Sequence, residues 1–598
     1  MPLPATHFRI VAHDAHAHLF EVRCTVHEPA PDGQRFRLPA WIPGSYLIRE
    51  FARQFSEVRA EADGTPVALH KEAKDTWRAE PASGPLTVIA LVYAFDLSVR
   101  GAYLDATRGY FNGPAVFLCP DGRQDAPCTL DVGAPTDEKF ARWRVATTLA
   151  AQSTDACGFG RYAAASYDEL IDHPVEMADF SEVKFEARNV PHTIALSGRA
   201  DADLARLARD LQQVCEAHID LFGGTPPFAR YLFQVMAVGD GYGGLEHRDS
   251  TSLLCRRDEL PRVGCGAPSD EYVNFLGLAS HEYFHAWNVK RIRPVAFAPY
   301  DLARENYTRE LWAYEGVTSY YDDLALLRSR LIDPARYLEL VARTITTVLR
   351  TPGRHRQSLA DASFDAWIKF YRPDENSPNA TVSYYAKGAL VALALDLTLR
   401  SAARHSLDDV MRTLWTRFGE RGIGVPEGEI ERVATQLGGE AVRSLFARCV
   451  HGTGDPPLDR LLGAFGVELH LRPASSASDR GGKAAAGPAP AASIDAKVAP
   501  DMRIQHVYRD GAAQRAGLAA NDVLVAFDGL RATPDALAAL LRRGHGERVC
   551  VHAFRRDELF STDLTLAEPP LDTCYLTLVA DAPPPARALR GGWLGGHA

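Results

Sequence analysis

The segment His281-Glu282-Tyr283-Phe284-His285 has residue types and spacing that could do chemistry. On a helix, residues four apart share a face. The two imidazoles then point the same way and can take two tetrahedral positions on one Zn²⁺ ion. Glu282 projects beside them, placed to take a proton from metal-activated water. The sequence from Ser269 onward supports such a helix, with Val273, Leu276 and Phe284 as apolar positions. The chain has 20 His in 598 residues, so two at this spacing around a Glu are expected well under once by chance. One zinc per chain is the expectation, and it needs a third ligand.

Downstream, Arg309-Glu310-Leu311-Trp312-Ala313-Tyr314-Glu315-Gly316 is apolar and aromatic around a Glu-Gly pair. A carboxylate buried there is costly unless something pairs with it, and a zinc ion would. Glu305 and Glu310 compete for the role. Glu305 lies in a polar, loop-like stretch, and Glu310 opens the helix, where acids favour the dipole anyway. Glu315 is therefore the expected ligand.

The elements that must carry these residues read as a multidomain α+β protein. Residues 1–175 are β-rich: Phe20, Val22, Cys24 and Val26 alternate with polar neighbours. The run from Leu86 to Phe95 is β-branched and aromatic, and Tyr110-Phe111-Asn112-Gly113-Pro114 reads as a turn. His13, His16 and His18 lie close together here and read as solvated surface rather than a metal site. Residues 176–455 form the catalytic domain, mainly helical. One helix carries Leu204, Leu207, Leu211, Val214 and Leu221 on a face, with Asp201 or Asp203 as N-cap and Gly223-Gly224 as stop. A strand from Tyr231 to Val238 runs into a glycine-rich stretch ending Glu246-His247. Residues 475–493 are Ala/Gly/Pro/Ser-rich and read as a flexible insertion within a compact domain at 456–570. Residues 571–598 read as a tail.

Composition excludes several classes. With 66 Lys+Arg against 76 Asp+Glu, net charge -10, the chain lacks the basic footprint of nucleic-acid binding. No window approaches the ~20 apolar residues that span a bilayer. The N-terminus shows no signal-peptide pattern. Ten scattered cysteines without a Cys-x-x-Cys pair argue against a disulfide scaffold or cysteine–zinc site. The expected location is cytoplasmic, with no nucleic-acid or membrane partner. Lys290, Arg291 and Arg293 follow the motif and are expected to pair with nearby acids.

His-Glu-x-x-His followed by a helix with Glu-Gly resembles the gluzincins, such as thermolysin and the aminopeptidase N family. Gly243-Gly244-Leu245-Glu246-His247 resembles the Gly-Ala-Met-Glu-Asn edge strand of those aminopeptidases. Tyr385-Ala386-Lys387-Gly388 is similar to their Tyr-x-Lys-Gly element. In aminopeptidase N itself the third ligand follows sooner; Arg304 stands at that spacing here. That departure, with Trp41-Ile42-Pro43-Gly44-Ser45-Tyr46-Leu47-Ile48-Arg49 near the start, points to the glycyl aminopeptidase family, which carries a C-terminal PDZ domain. Gly511 to Leu518 and Asn521 to Gly529 are similar to the protease-type PDZ pattern, and Gly466 to Leu471 could supply its first strand.

The resemblance implies a thermolysin-like catalytic domain in a zinc metallo-aminopeptidase that removes small N-terminal residues, Gly or Ala, from peptides. Glu282 would be the base, Tyr385 or the adjacent Tyr384 the oxyanion donor, and Glu246 with Gly243 and Gly244 the substrate-binding strand. The PDZ domain would take a peptide C-terminus or serve as a packing module. A zinc endopeptidase lacking use of Glu246, and a non-catalytic PDZ peptide-binding adaptor, are the alternatives.

Overall fold

The computed structural model describes residues 5–485 and 487–595. The signal-peptide reading of the first four residues lies outside them. The chain divides into two compact units, one running to Tyr307 and including Trp415–Val425, the other comprising Thr308–Leu414 and Pro426 onward.

The first unit opens with an eight-stranded sheet. Its spatial order is Ala150–Thr154, Gly160–Ala164, Cys128–Gly133, Thr6–Asp14, Leu19–Val26, Leu86–Tyr93, Phe55–Ala62 and Thr65–Val67. Leu19–Val26 alternates as its sequence predicts, with Phe20, Val22, Cys24 and Val26 turned into the core. Leu86–Tyr93 is buried on both faces, which is why its sequence runs apolar without alternation. After Phe111, Asn112 is fully buried and its amide donates to the Val99 carbonyl at 2.6 Å, pinning the predicted turn. Of the three nearby histidines, His18 is bonded to the Leu104 carbonyl and His16 meets Lys139. Among the described residues they form no metal-binding group.

A five-stranded sheet follows, in the order Ser181–Ala187, Val190–Ser197, Tyr231–Val238, Ser250–Arg256, Gly243–Glu246. Its middle pairs are parallel, and the short strand Gly243–Glu246 runs antiparallel along the edge. Helix Leu204–Leu221 is capped by Asp203, whose carboxylate accepts from the Arg206 N–H at 2.9 Å. It stops where Gly223 and Gly224 turn left-handed, at φ 100° and 86°. Helix Asp270–Phe284 starts at Ser269, whose hydroxyl accepts from Tyr272, with Asp270 and Glu271 complementing the helix dipole.

The second unit is mainly helical, with Val317–Arg328, Pro334–Leu349, Glu429–Phe446 and a deeply buried Ala386–Ala403. Its C-terminal module has its own core, including Ile504, Phe527, Val549 and Val551, beneath strands Val523–Phe527, Arg548–Arg555 and Glu558–Thr565.

Three expectations are corrected here. Val467–Arg472 does not supply that module's first strand; it pairs with Thr573–Leu578 in a separate ladder. The stretch 475–493 is pinned in part: Asp479 takes Arg472 and Ser475, and Gly482 N–H donates to the Cys574 carbonyl at 2.8 Å. Residues 571–598 are more than a tail. Pro584–Leu594 is a helix whose prolines occupy the first turn, where no N–H is needed. It buries Ala586, Arg590, Trp593 and Leu594, and the Trp593 ring meets Tyr337 and Phe465.

All ten cysteines are free. Among the described residues no helix is long and apolar enough to cross a membrane.

Candidate active site

His281 and His285 end helix Asp270–Phe284, their ring centroids 4.7 Å apart. The opposite side of the helix is locked by Tyr283, whose ring lies among Tyr231, Phe233 and Phe228. Its hydroxyl meets His192 Nε2 at 2.9 Å. His192 Nδ1 donates to the Val190 carbonyl, so Nε2 is the acceptor. His285 Nδ1 lies 2.6 Å from the Asn288 carbonyl. A carbonyl only accepts, so Nδ1 holds the proton and Nε2 carries the lone pair that a metal requires.

Glu282, buried at 6% exposure, lies against the edge strand. A Cβ on Gly244 would come 2.1 Å from Glu282 Oε1. Only glycine leaves room for that carboxylate. Two residues on, Glu246 is 4% exposed and its Oε1 has no hydrogen-bond partner. Gly44, at φ +88°, packs directly on it; a Cβ there would meet the carboxylate at 2.4–2.7 Å. Glu246, Glu282 and His285 each offer a donor atom within 4.8 Å of the others. Two buried carboxylates this close are unfavourable without positive charge between them. The two imidazoles, His281 and His285, with a carboxylate are a donor set that fits a divalent cation such as zinc.

Behind the strand lies a buried ionic cluster. Asp172 accepts from Lys290 at 2.7 Å, Arg248 at 2.9 Å and His247 at 3.2 Å. Burial alone would raise its pKa, but Lys290 and Arg248 hold it well below the usual carboxylate range. Asp172 thus ties the residue after Glu246 to the loop after His285. Lys290 pairs with an acid as expected, whereas Arg291 donates to the Arg248, Ala286 and Pro227 carbonyls and Arg293 covers the Tyr300 ring.

In the second unit, Glu315 sits 2% exposed in a π-helical turn, Trp312–Gly316, ahead of Val317–Arg328. Such turns recur at functional sites. Gly316 and Gly388 touch backbone to backbone: a Cβ on Gly316 would lie 2.5 Å from Gly388 Cα. Tyr385 is half-buried, its ring stacked on Phe370 at 5.3 Å and its hydroxyl 3.4 Å from that of Tyr371. Tyr384 is fully buried, and burial, then Tyr371 and Glu315, push its pKa well above normal. Lys387 reaches the Arg354 and Thr453 carbonyls and is structural. Of the competitors, Glu310 accepts the Gly428 N–H, its pKa pushed by burial up to about 7, and Glu305 lies half-buried outside the helical elements, in the first unit.

Residues 7–179 match the family model described as the Peptidase M61 N-terminal domain, and residues 274–391 match M61 glycyl aminopeptidase. A crystal structure of an aminopeptidase N family protein from Idiomarina loihiensis is 40% identical, covering 98% of this chain and all of its own, with a TM-score of 0.94. An M1 zinc metallopeptidase from Deinococcus radiodurans is 16% identical over 76% of this chain and 95% of its own, at a TM-score of 0.47, too distant to inform the site. No curated protein matches.

Proposed function

The chain belongs to the M61 glycyl aminopeptidase family and is a metallo-aminopeptidase, and from that premise we propose that it is zinc-dependent and releases small N-terminal residues, Gly or Ala, from peptides. The observation that carries this reading is the buried, hydrogen-bond-free oxygen of Glu246 at the sheet edge, beside Glu282 and His285. A carboxylate so placed calls for a cation, and the ammonium group of a peptide N-terminus supplies one.

In this reading His281, His285 and Glu315 hold one zinc ion per chain. A bound zinc supplies Lewis acidity, favouring deprotonation of water and polarising the scissile carbonyl. The chain's own groups do the rest. Glu282 takes the proton of the attacking water and returns it to the leaving amine. Tyr385 donates to the developing oxyanion; its side chain is half-buried, whereas Tyr384 is sealed in the core. Glu246 pairs with the substrate ammonium, and Gly243 and Gly244 offer backbone to the peptide.

The C-terminal module, within residues 456–570, is proposed as a PDZ domain that takes a peptide C-terminus.

The test compares free-amine peptides with their N-acetyl forms. Acetylation removes the charge that Glu246 needs, and losing a charge-assisted hydrogen bond of ~1.5–3 kcal/mol lowers the rate roughly ten- to a hundredfold. Equal cleavage of acetylated and internal bonds would replace the aminopeptidase by a zinc endopeptidase.

A further inference from the structure

We propose that Arg100 receives the C-terminal carboxylate of the substrate, so that the strand Gly243–Glu246 holds short peptides by both charged ends. The proposal rests on the reading of Glu246 as the ammonium partner.

Arg100 comes from the segment between strands Leu86–Tyr93 and Ala102–Leu104, far in sequence from the strand it meets. The Gly243–Glu246 strand lies at the sheet edge, with one side paired to Ser250–Arg256. Leu245 turns its carbonyl to the Thr251 hydroxyl of that neighbour, 3.0 Å away. Gly244, the preceding residue, presents its carbonyl the opposite way, and Arg100 Nη2 donates to it at 3.0 Å. Arg100 therefore stands at the free edge, where an extended peptide would add. Its Nη1 borders Gly243, where a Cβ would sit 3.4 Å away.

This guanidinium is underused. Its Nε is buried without a hydrogen-bond partner, and among the described residues no carboxylate pairs with it. Five fork-like donors with one protein acceptor suit a carboxylate ligand.

The spacing sets the ligand's length. Gly244 and Glu246 are two residues apart on a strand, about 7 Å. An extended dipeptide spans about the same, at ~3.3–3.6 Å per residue. Glu282 packs on Gly244 and brings a carboxylate oxygen within 4.8 Å of one on Glu246. A peptide with its ammonium at Glu246 lays its first peptide bond beside Glu282. Its next one or two residues bring a terminal carboxylate to Arg100. The ligand class is di- and tripeptides with both termini free; a longer chain brings only neutral amides to that place.

The experiment compares Gly-Ala-Ala with its C-terminal amide on wild type, Arg100→Gln and Arg100→Lys. Wild type should favour the free acid by about ten- to a hundredfold in kcat/KM, mainly through KM. Arg100→Gln should bring acid and amide to equality, and Arg100→Lys should keep part of the preference. The acid-to-amide ratio is the readout, because an arginine that merely braces the Gly244 carbonyl would slow both substrates alike. Equal wild-type rates on acid and amide, or an undiminished preference in Arg100→Gln, overturn the proposal. N-acetyl-Gly-Ala-Ala reports separately on Glu246. If it is cut as fast as the free amine while acid still outruns amide, the ammonium reading fails and the carboxylate site stands.

Discussion

Oε1 of Glu282 would lie 2.1 Å from a Cβ built on Gly244. The proposed base and the proposed substrate strand are thus in van der Waals contact, and the base takes its position from a missing side chain. Gly244→Ala should displace the carboxylate and lower kcat at least ~10-fold while the metal stays bound, since small misplacements of a catalytic group are costly. Glu282→Gln, which keeps the shape but accepts no proton, should lower kcat by ~10² or more, again with metal retained. Steady-state kinetics beside metal analysis checks both. Full activity in Glu282→Gln would remove that residue from the mechanism.

The ligand set is tested by metal content. His281→Ala and Glu315→Ala should each lose zinc, and a chelator should abolish activity in wild type. Glu310, already bonded to the Gly428 N–H, should tolerate Glu310→Gln without metal loss. Zinc retained by Glu315→Ala and lost by Glu310→Gln would exchange their roles.

Acid should loosen the helix that carries both histidines. His192 is buried against Tyr283, and burial pushes its pKa down to about 4 from an ordinary 6.5. The folded state therefore favours the neutral ring. Its contribution is full above pH 6.5 and is lost as pH falls towards 4, on the order of 3 kcal/mol in all. Thermal melting across that range should show a Tm that declines with acid, and His192→Gln should flatten the decline. An unchanged slope in the variant would put the sensitivity elsewhere.

The C-terminal module begins and ends at one place: Ser493 N–H donates to the Ala567 carbonyl at 2.9 Å, and Ala567 N–H donates back. Excising residues 493–567 and joining the ends should leave zinc content and dipeptide hydrolysis intact, and alter activity on long peptides. Deleting everything beyond 455 would instead strip the Trp593 helix from Tyr337 and is expected to destabilise the unit. Equal loss on dipeptides and long peptides after the excision would make the module a structural support.

Much of the proposed site is written locally and is legible in the sequence. The two histidines and Glu282 share one helical turn, so spacing alone places them. Glu246 follows two glycines on a short strand that the resemblance picks out. Gly44 stands in the Trp41–Arg49 signature but with nothing to tie it to Glu246, and Arg100 and Asp172 carry no signal at all. Each reaches the edge strand from far along the chain, and only tertiary folding brings it there. Between Tyr384 and Tyr385 the Lys-Gly register of the resemblance favours Tyr385, while their difference in burial arises only once the chain is packed. Residues 571–598 read as a tail because they are Pro-rich, yet prolines that interrupt a helix are also favoured in its first turn, where Pro584 and Pro585 stand.

The meeting of Gly316 and Gly388 has a consequence for how the second unit keeps its tolerances. At that contact no side chain that could change rotamer, shrink or swell stands between the two backbones. The separation of Glu315 from Tyr385 is accordingly gauged by main chain against main chain. Neighbouring hydrophobic residues can drift in volume over many generations without resetting that gauge. The reverse holds for the two glycines: a methyl group on either is a shim that moves both proposed functional groups at once.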